Sequence, residues 1–200
     1  MSAPKNTLTN QSLLAALLLI ILGAFFRVFR VWLDVDLLPN FAPLAAIALC
    51  SAVYLPRGTA LLIPLVALLA SDLLLNTFYH VPLFTSATIT LYGCYAVAWG
   101  LGLYLRNTRP TLLPLLGAAF ISALVFYVVT NTAAWSGNGA YAQTLSGWVQ
   151  SLTVGLPGYA PTWTFFRNSL TSDLLFTALF YALVKHFGTQ PHTAPLHTHA

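Results

Sequence analysis

"LIPLVALLASDLLLN", residues 62–76, is an apolar run interrupted by a single carboxylate, Asp72. At the centre of a membrane helix a charged side chain costs roughly 2.5 kcal/mol or more. A partner, water or a function has to offset that cost.

The rest of the chain shows which solvent the run meets. Of its 200 residues, 58% are hydrophobic and only 6% are charged, with a mean hydropathy of +0.78. Soluble domains carry about 25% charged residues, so this chain cannot cover an apolar core with a charged surface. An integral membrane protein follows. A spanning helix takes about 20 mostly apolar residues, so the chain has room for about six with short loops. The expected fold is all-α, a polytopic membrane helix bundle without a separate soluble domain.

The net charge of +4 does not mark a nucleic-acid partner, because the eight cations are spread along the chain and form no basic patch. The positive-inside rule accounts for them better. Cys50 and Cys94 lie in apolar stretches with no Cys-x-x-Cys or Cys/His pattern around them. They read as small buried hydrophobes, so neither a metal nor a cofactor is expected. After Lys5, the apolar "LLAALLLIILGAFF" (13–26) runs into "RVFRVW" with no small-x-small cleavage site. It reads as an uncleaved first helix rather than a signal peptide.

Hydrophobic segments fall at about 12–33, 38–55, 59–78, 86–105, 111–133 and 164–186, with boundaries good to about 2–4 residues. Turn chemistry separates them: "LPNFAP" (38–43), "YLPRG" (54–58), "YHVP" (79–82), "RNTRP" (106–110) and "SGNG" (136–139). The second segment is rich in alanine, and small residues four apart let membrane helices approach closely. Asn40 stands where an N-cap for it belongs. Residues 1–11 form an N-terminal cytoplasmic segment, 12–187 the bundle and 188–200 a disordered cytoplasmic tail. His192, His197 and His199 in that tail read as solvated. The connection 134–163 is long and aromatic, and 141–155 within it suits an interfacial helix.

Orientation follows from the cations. With the N-terminus inside, Lys5, Arg57, Arg106, Arg109 and Lys185 lie on inner loops, leaving Arg27, Arg30 and Arg167 near the outer ends. Asp34 and Asp36 offset the first two locally. An N-in, C-in arrangement is expected.

This topology gathers the polar residues. Asp72 lies fifteen residues beyond Arg57, about 22 Å along a helix, which is the outer half of the bilayer. Asp173 lies twelve residues before Lys185, about 18 Å up, also in the outer half. Residues three, four or seven apart share a helix face. Asp72, Asn76, Tyr79 and His80 form one outward stripe; Tyr127, Asn131 and Trp135 form a second; Ser169, Asp173 and Thr177 form a third. The economical reading is a polar, aromatic-lined cavity open to the outside. Asp72, Asn76, His80, Tyr127, Asn131, Trp135, Arg167 and Asp173 are its candidate solute contacts. The bland alternative is that Asp72 and Asp173 pair with Arg27, Arg30 or Arg167 and only lock helices together. A repeated "SDLL" at 71–74 and 172–175 would fit a three-plus-three repeat, though four residues in a leucine-rich chain recur easily by chance.

Four stretches carry a resemblance. "LPNFAPLAAIAL" (38–49), "LLIPLVALLASDLLL" (61–75), "VFYVVTNTAAW" (125–135) and "WTFFRNSLTSDLLFTALF" (163–180) resemble, in order and spacing, an uncharacterised family of small bacterial membrane proteins. The resemblance covers about residues 38–184. That family is in turn similar to the S components of energy-coupling-factor vitamin transporters. What this implies is a six-helix bundle in the bacterial inner membrane with a vitamin pocket under the first, third and fifth outer loops. It also implies a partner: a transmembrane coupling subunit with two ATPases, docked through small residues such as Ala42/Ala46 or Ala48/Ala52. Ala15, Ala16, Gly23 and Ala24 of the first helix lack the four-residue spacing usual for that docking. Solitary relatives move cobalamin, so His80 could ligate cobalt.

Other classes fit less well. An aspartyl protease dyad of Asp72 and Asp173 would come with Tyr-Asp and Gly-x-Gly-Asp, and a rhomboid-like site with Gly-x-Ser-Gly; none occurs. No enzyme is expected. The remaining alternative is a structural or assembly subunit of a larger membrane complex.

Overall fold

The computed structural model describes residues 10–32, 39–108 and 110–188. Residues 1–9 of the N-terminal segment, Asp34, Asp36, Arg109 and the histidine-bearing tail lie outside the described residues, as does the Arg30 side chain. Within them the chain is helical and contains no strand. The helices are α1 (Asn10–Trp32), α2 (Leu44–Tyr54), α3 (Leu62–Tyr79), α4 (Ser86–Arg106), α5 (Leu112–Gly137), α6 (Leu145–Leu152) and α7 (Thr162–Gly188). Three of them, α3, α4 and α5, are long and apolar enough to cross a membrane, which marks a membrane protein.

The organising element is α2. It is apolar all round, and ten of its eleven residues are buried, as expected of a helix enclosed by others. It touches α1, α3, α4, α5 and α7. At eleven residues it is about 16 Å long, against a hydrocarbon core of about 30 Å. The segment expected over 38–55 is therefore a half-length helix preceded by a turn. Pro43 occupies the N-cap position without a side-chain cap. Asn40, expected to cap this helix, instead adopts a left-handed backbone at φ 61°, a conformation asparagine tolerates better than most residues.

A short helix inside a bundle leaves unpaired N–H and C=O groups that lipid cannot satisfy. Other helices supply both caps. At the N-terminal end the Ala46 N–H donates to Asp173 Oδ1 of α7 at 3.0 Å. At the C-terminal end Arg106 of α4 donates to the carbonyls of Ala52 at 2.9 Å and Leu55 at 2.6 Å. An acceptor oxygen at the N-terminus and a guanidinium at the C-terminus thus meet the backbone groups that the helix leaves bare. Close packing does the rest. A Cβ on Gly102 would stand 2.7 Å from the Ala52 Cβ and 3.2 Å from the Leu49 carbonyl carbon, so α4 approaches α2 through a bare backbone.

Between α5 and α7 the aromatic connection is ordered around α6, inside the 141–155 stretch expected to be helical. Thr144 caps α6 by accepting the Gly147 N–H at 3.3 Å. Trp148 Nε1 donates to Thr132 Oγ1 at 2.9 Å and Trp135 Nε1 to the Ala142 carbonyl at 2.9 Å. The indoles thus staple the connection back onto α5.

Candidate functional site

Two adjoining cavities lie among α1, α2, α3, α4, α5 and α7. The first, about 220 Å³, is lined by Arg27, Asn40, Tyr79, Tyr95, Ser169 and Asp173 with apolar neighbours. The second, about 200 Å³, is lined by Tyr127, Thr130, Asn131, Thr162 and Phe166 among others. Asn40, Phe126 and Ser169 belong to both walls. A tertiary staple fixes this shared wall: Ser169 Oγ donates to the Asn40 carbonyl at 3.1 Å and Asn168 Nδ2 to the Pro39 carbonyl at 3.0 Å. Tyr95 stacks on Phe126 with ring centroids 6.1 Å apart, and Tyr127 leans on Phe166 at 4.8 Å.

The charged groups divide by role. Asp72 is 4% exposed. Its Oδ1 receives Arg27 at 2.5 Å and its Oδ2 receives the Tyr92 hydroxyl at 2.9 Å. Arg27 also donates to Ser71 Oγ at 2.7 Å. Both carboxylate oxygens are engaged, and this is the pairing the bland alternative described. The cavity meets this network through Arg27. Asp173 is 3% exposed, lines the cavity directly and has no arginine partner among the described residues. Among the described residues, its hydrogen bond is the cap on α2.

The other sequence-derived candidates separate further. Tyr127 and Asn131 face the second cavity, although the Tyr127 hydroxyl also donates to the Leu152 carbonyl of α6. Asn131 Nδ2 donates back to the Tyr127 carbonyl at 2.8 Å. Asn76 and His80 line neither cavity. Asn76 Nδ2 donates to the Pro82 carbonyl at 3.2 Å. The His80 N–H caps α3 in a left-handed conformation, φ 54°. Trp135 is tied to the α5–α6 connection. Arg167 is exposed, sits over the Trp163 ring at 5.5 Å and donates to Asn168. No cluster of three metal-ligating side chains occurs among the described residues.

Tyr95 and Phe126 line the cavity without having stood out in the sequence, while Ser169 stood out only as part of a polar stripe and Asn40 only as a cap. Tyr92 and Tyr95, three apart on α4, were a legible signal, since a helix face with two tyrosines amid apolar residues needs partners for two hydroxyls. Arg27, expected as a pairing partner, is one and also lines the first cavity.

Comparison with curated proteins and with solved structures finds no match. The family of unknown function DUF6580 matches residues 7–194, nearly the whole length, and the chain belongs to that family.

Proposed function

We propose that this protein binds a small solute in the paired cavities and serves its uptake across the membrane, without enzymatic chemistry. One observation carries the reading. Asp173, nearly inaccessible to solvent, lines a cavity whose other polar walls are Arg27, Asn40, Ser169 and Tyr79. A buried carboxyl group on the wall of such a cavity suits polar contacts to a bound molecule, and the stacked Tyr95 and Phe126 suit a flat heterocycle. The finer form of the proposal is an S-component-like protein of the bacterial inner membrane. It would have six spans with both termini inside, a vitamin-like solute, and a coupling subunit with ATPases as partner. Of the eight sequence-derived contacts, Asp173, Asn131 and Tyr127 are the ones we retain as solute-facing.

A second reading has its own support. The Arg27–Asp72–Tyr92 network satisfies its charges internally, which suits a subunit that only stabilises a larger membrane complex. Native mass spectrometry of the gently purified protein separates the two. Solute binding predicts a discrete retained mass that is lost in Asp173→Asn, which keeps an acceptor for Ala46, and in Asn131→Leu. A stoichiometric membrane-protein partner with no small molecule in any preparation would favour the assembly reading.

A further inference from the structure

The first cavity has an apolar neighbour. α3 and α4 are consecutive, yet α3 lies against α1 and α2 while α4 lies against α2 and α5, and their backbones do not meet. One side chain of α4 bridges this gap to α3 and a second reaches the turn that precedes α3. Tyr92 donates to Asp72 at 2.9 Å, and Trp99 Nε1 donates to the Ala60 carbonyl at 3.3 Å. A chamber of about 220 Å³ lies here, lined by Tyr92 and Trp99 and closed on the α2 side by Ile47 and Ala48. Its lining includes the exposed residues Leu61 and Ala96. Leu44 and Tyr95 line both this chamber and the cavity holding Arg27 and Asp173.

Ligand pockets generally begin at about 300 Å³. Each chamber alone, at about 220 Å³, falls short of that. The two share Leu44 and Tyr95 in their linings, so a polar chamber and an apolar one lie on either side of these two residues.

From this juxtaposition we propose that the bound molecule is amphipathic. Its polar group sits against Arg27, Asp173 and Ser169, and its apolar body lies past Tyr95 in the chamber between α3 and α4. The gap between those helices admits it from the bilayer. This deepens the solute-binding reading and rests on it. The aromatic faces of Tyr92, Tyr95 and Trp99 give the apolar body packing partners, and a wholly polar solute would leave that chamber unused.

The test takes the full chain in detergent and then in phosphatidylcholine nanodiscs. Two photoactivatable probes are compared, octanamide and butanamide with terminal diazirines, and crosslinks are mapped by peptide mass spectrometry. Octanamide should label Leu65, Tyr92 or Ala96, and butanamide only the surroundings of Ser169. Ala96→Phe and, independently, Leu61→Trp, both at exposed positions, should cut the octanamide labelling about tenfold. Octanamide confined to the polar cavity and indifferent to both variants would overturn the amphipathic assignment while leaving solute binding intact. Labelling spread evenly over the exposed residues Phe25, Leu74 and Ile89, with nothing at Ser169 from either probe, would overturn both. Chamber labelling seen in detergent but abolished in nanodiscs would uphold the amphipathic site, identify a membrane lipid as its occupant, and overturn uptake of a soluble solute.

Discussion

Asp72 gives one carboxylate oxygen to Arg27 and the other to Tyr92, so its place in an apolar run is explained by α1 and α4. Breaking one side of such a pair leaves an uncompensated charge and costs about 3–5 kcal/mol, while replacing both partners by apolar groups is often neutral. Arg27→Met and Asp72→Leu should each lower the thermal unfolding temperature in detergent, and the double variant should recover most of the loss. Additive losses would mean that the two side chains act independently. Asp173, on α7, answers to backbone instead: it completes α2 and borders the cavity that Arg27 also lines. Both aspartates were legible as anomalies in the sequence. Which was paired and which faced the cavity was not, because each depends on a group more than forty residues distant, the Arg27 guanidinium for Asp72 and the Ala46 N–H for Asp173.

At the scale of elements, α2 shows what a hydropathy pattern leaves open. Residues 38–55 read as one apolar segment, but Asn40 turns the chain and Pro43 delays the helix to Leu44. A half-length helix survives because Asp173 and Arg106 cap it from α7 and α4. Its alanines were expected to permit close packing, and the bare backbone of Gly102 is the matching surface on α4. Gly102→Ala must push α4 away from α2, with an expected loss of about 1–3 kcal/mol read as a lower unfolding temperature. Gly100→Ala, where a Cβ meets nothing within 4 Å, should be neutral or stabilising by up to about 1 kcal/mol. Equal effects at the two glycines would remove the close approach as the reason.

At the scale of the whole molecule, large apolar side chains such as Phe25, Leu74, Ile89 and Leu113 are exposed, which in water would be an aggregation surface and in a bilayer is the lipid contact. The proposed orientation can be checked with a membrane-impermeant maleimide on intact cells. Cys50 and Cys94 are buried, so background labelling is low. Gly139→Cys in the α5–α6 connection should react from outside, and Gly58→Cys between α2 and α3 only after the cells are opened; a Cβ meets nothing within 4 Å at either site. The reverse pattern would invert the bundle and place the cavities' outer wall on the cytoplasmic side.

Composition and hydropathy by themselves determined the solvent, the helical class and the positions of the long apolar segments, because a bilayer imposes length and polarity on each segment separately. Stripes at helical spacing also flagged Asp72 and Asp173, since periodicity is a local property of the chain. Only the tertiary structure decided that α2 is a buried half-helix, that Asp72 belongs to Arg27, and that Asp173 meets Asn40, Ser169 and Tyr95 at a cavity. Those outcomes rest on contacts between helices distant in sequence. Many partner assignments satisfy the same pattern of apolar segments and charges, and packing together with the capping of buried backbone ends selects among them.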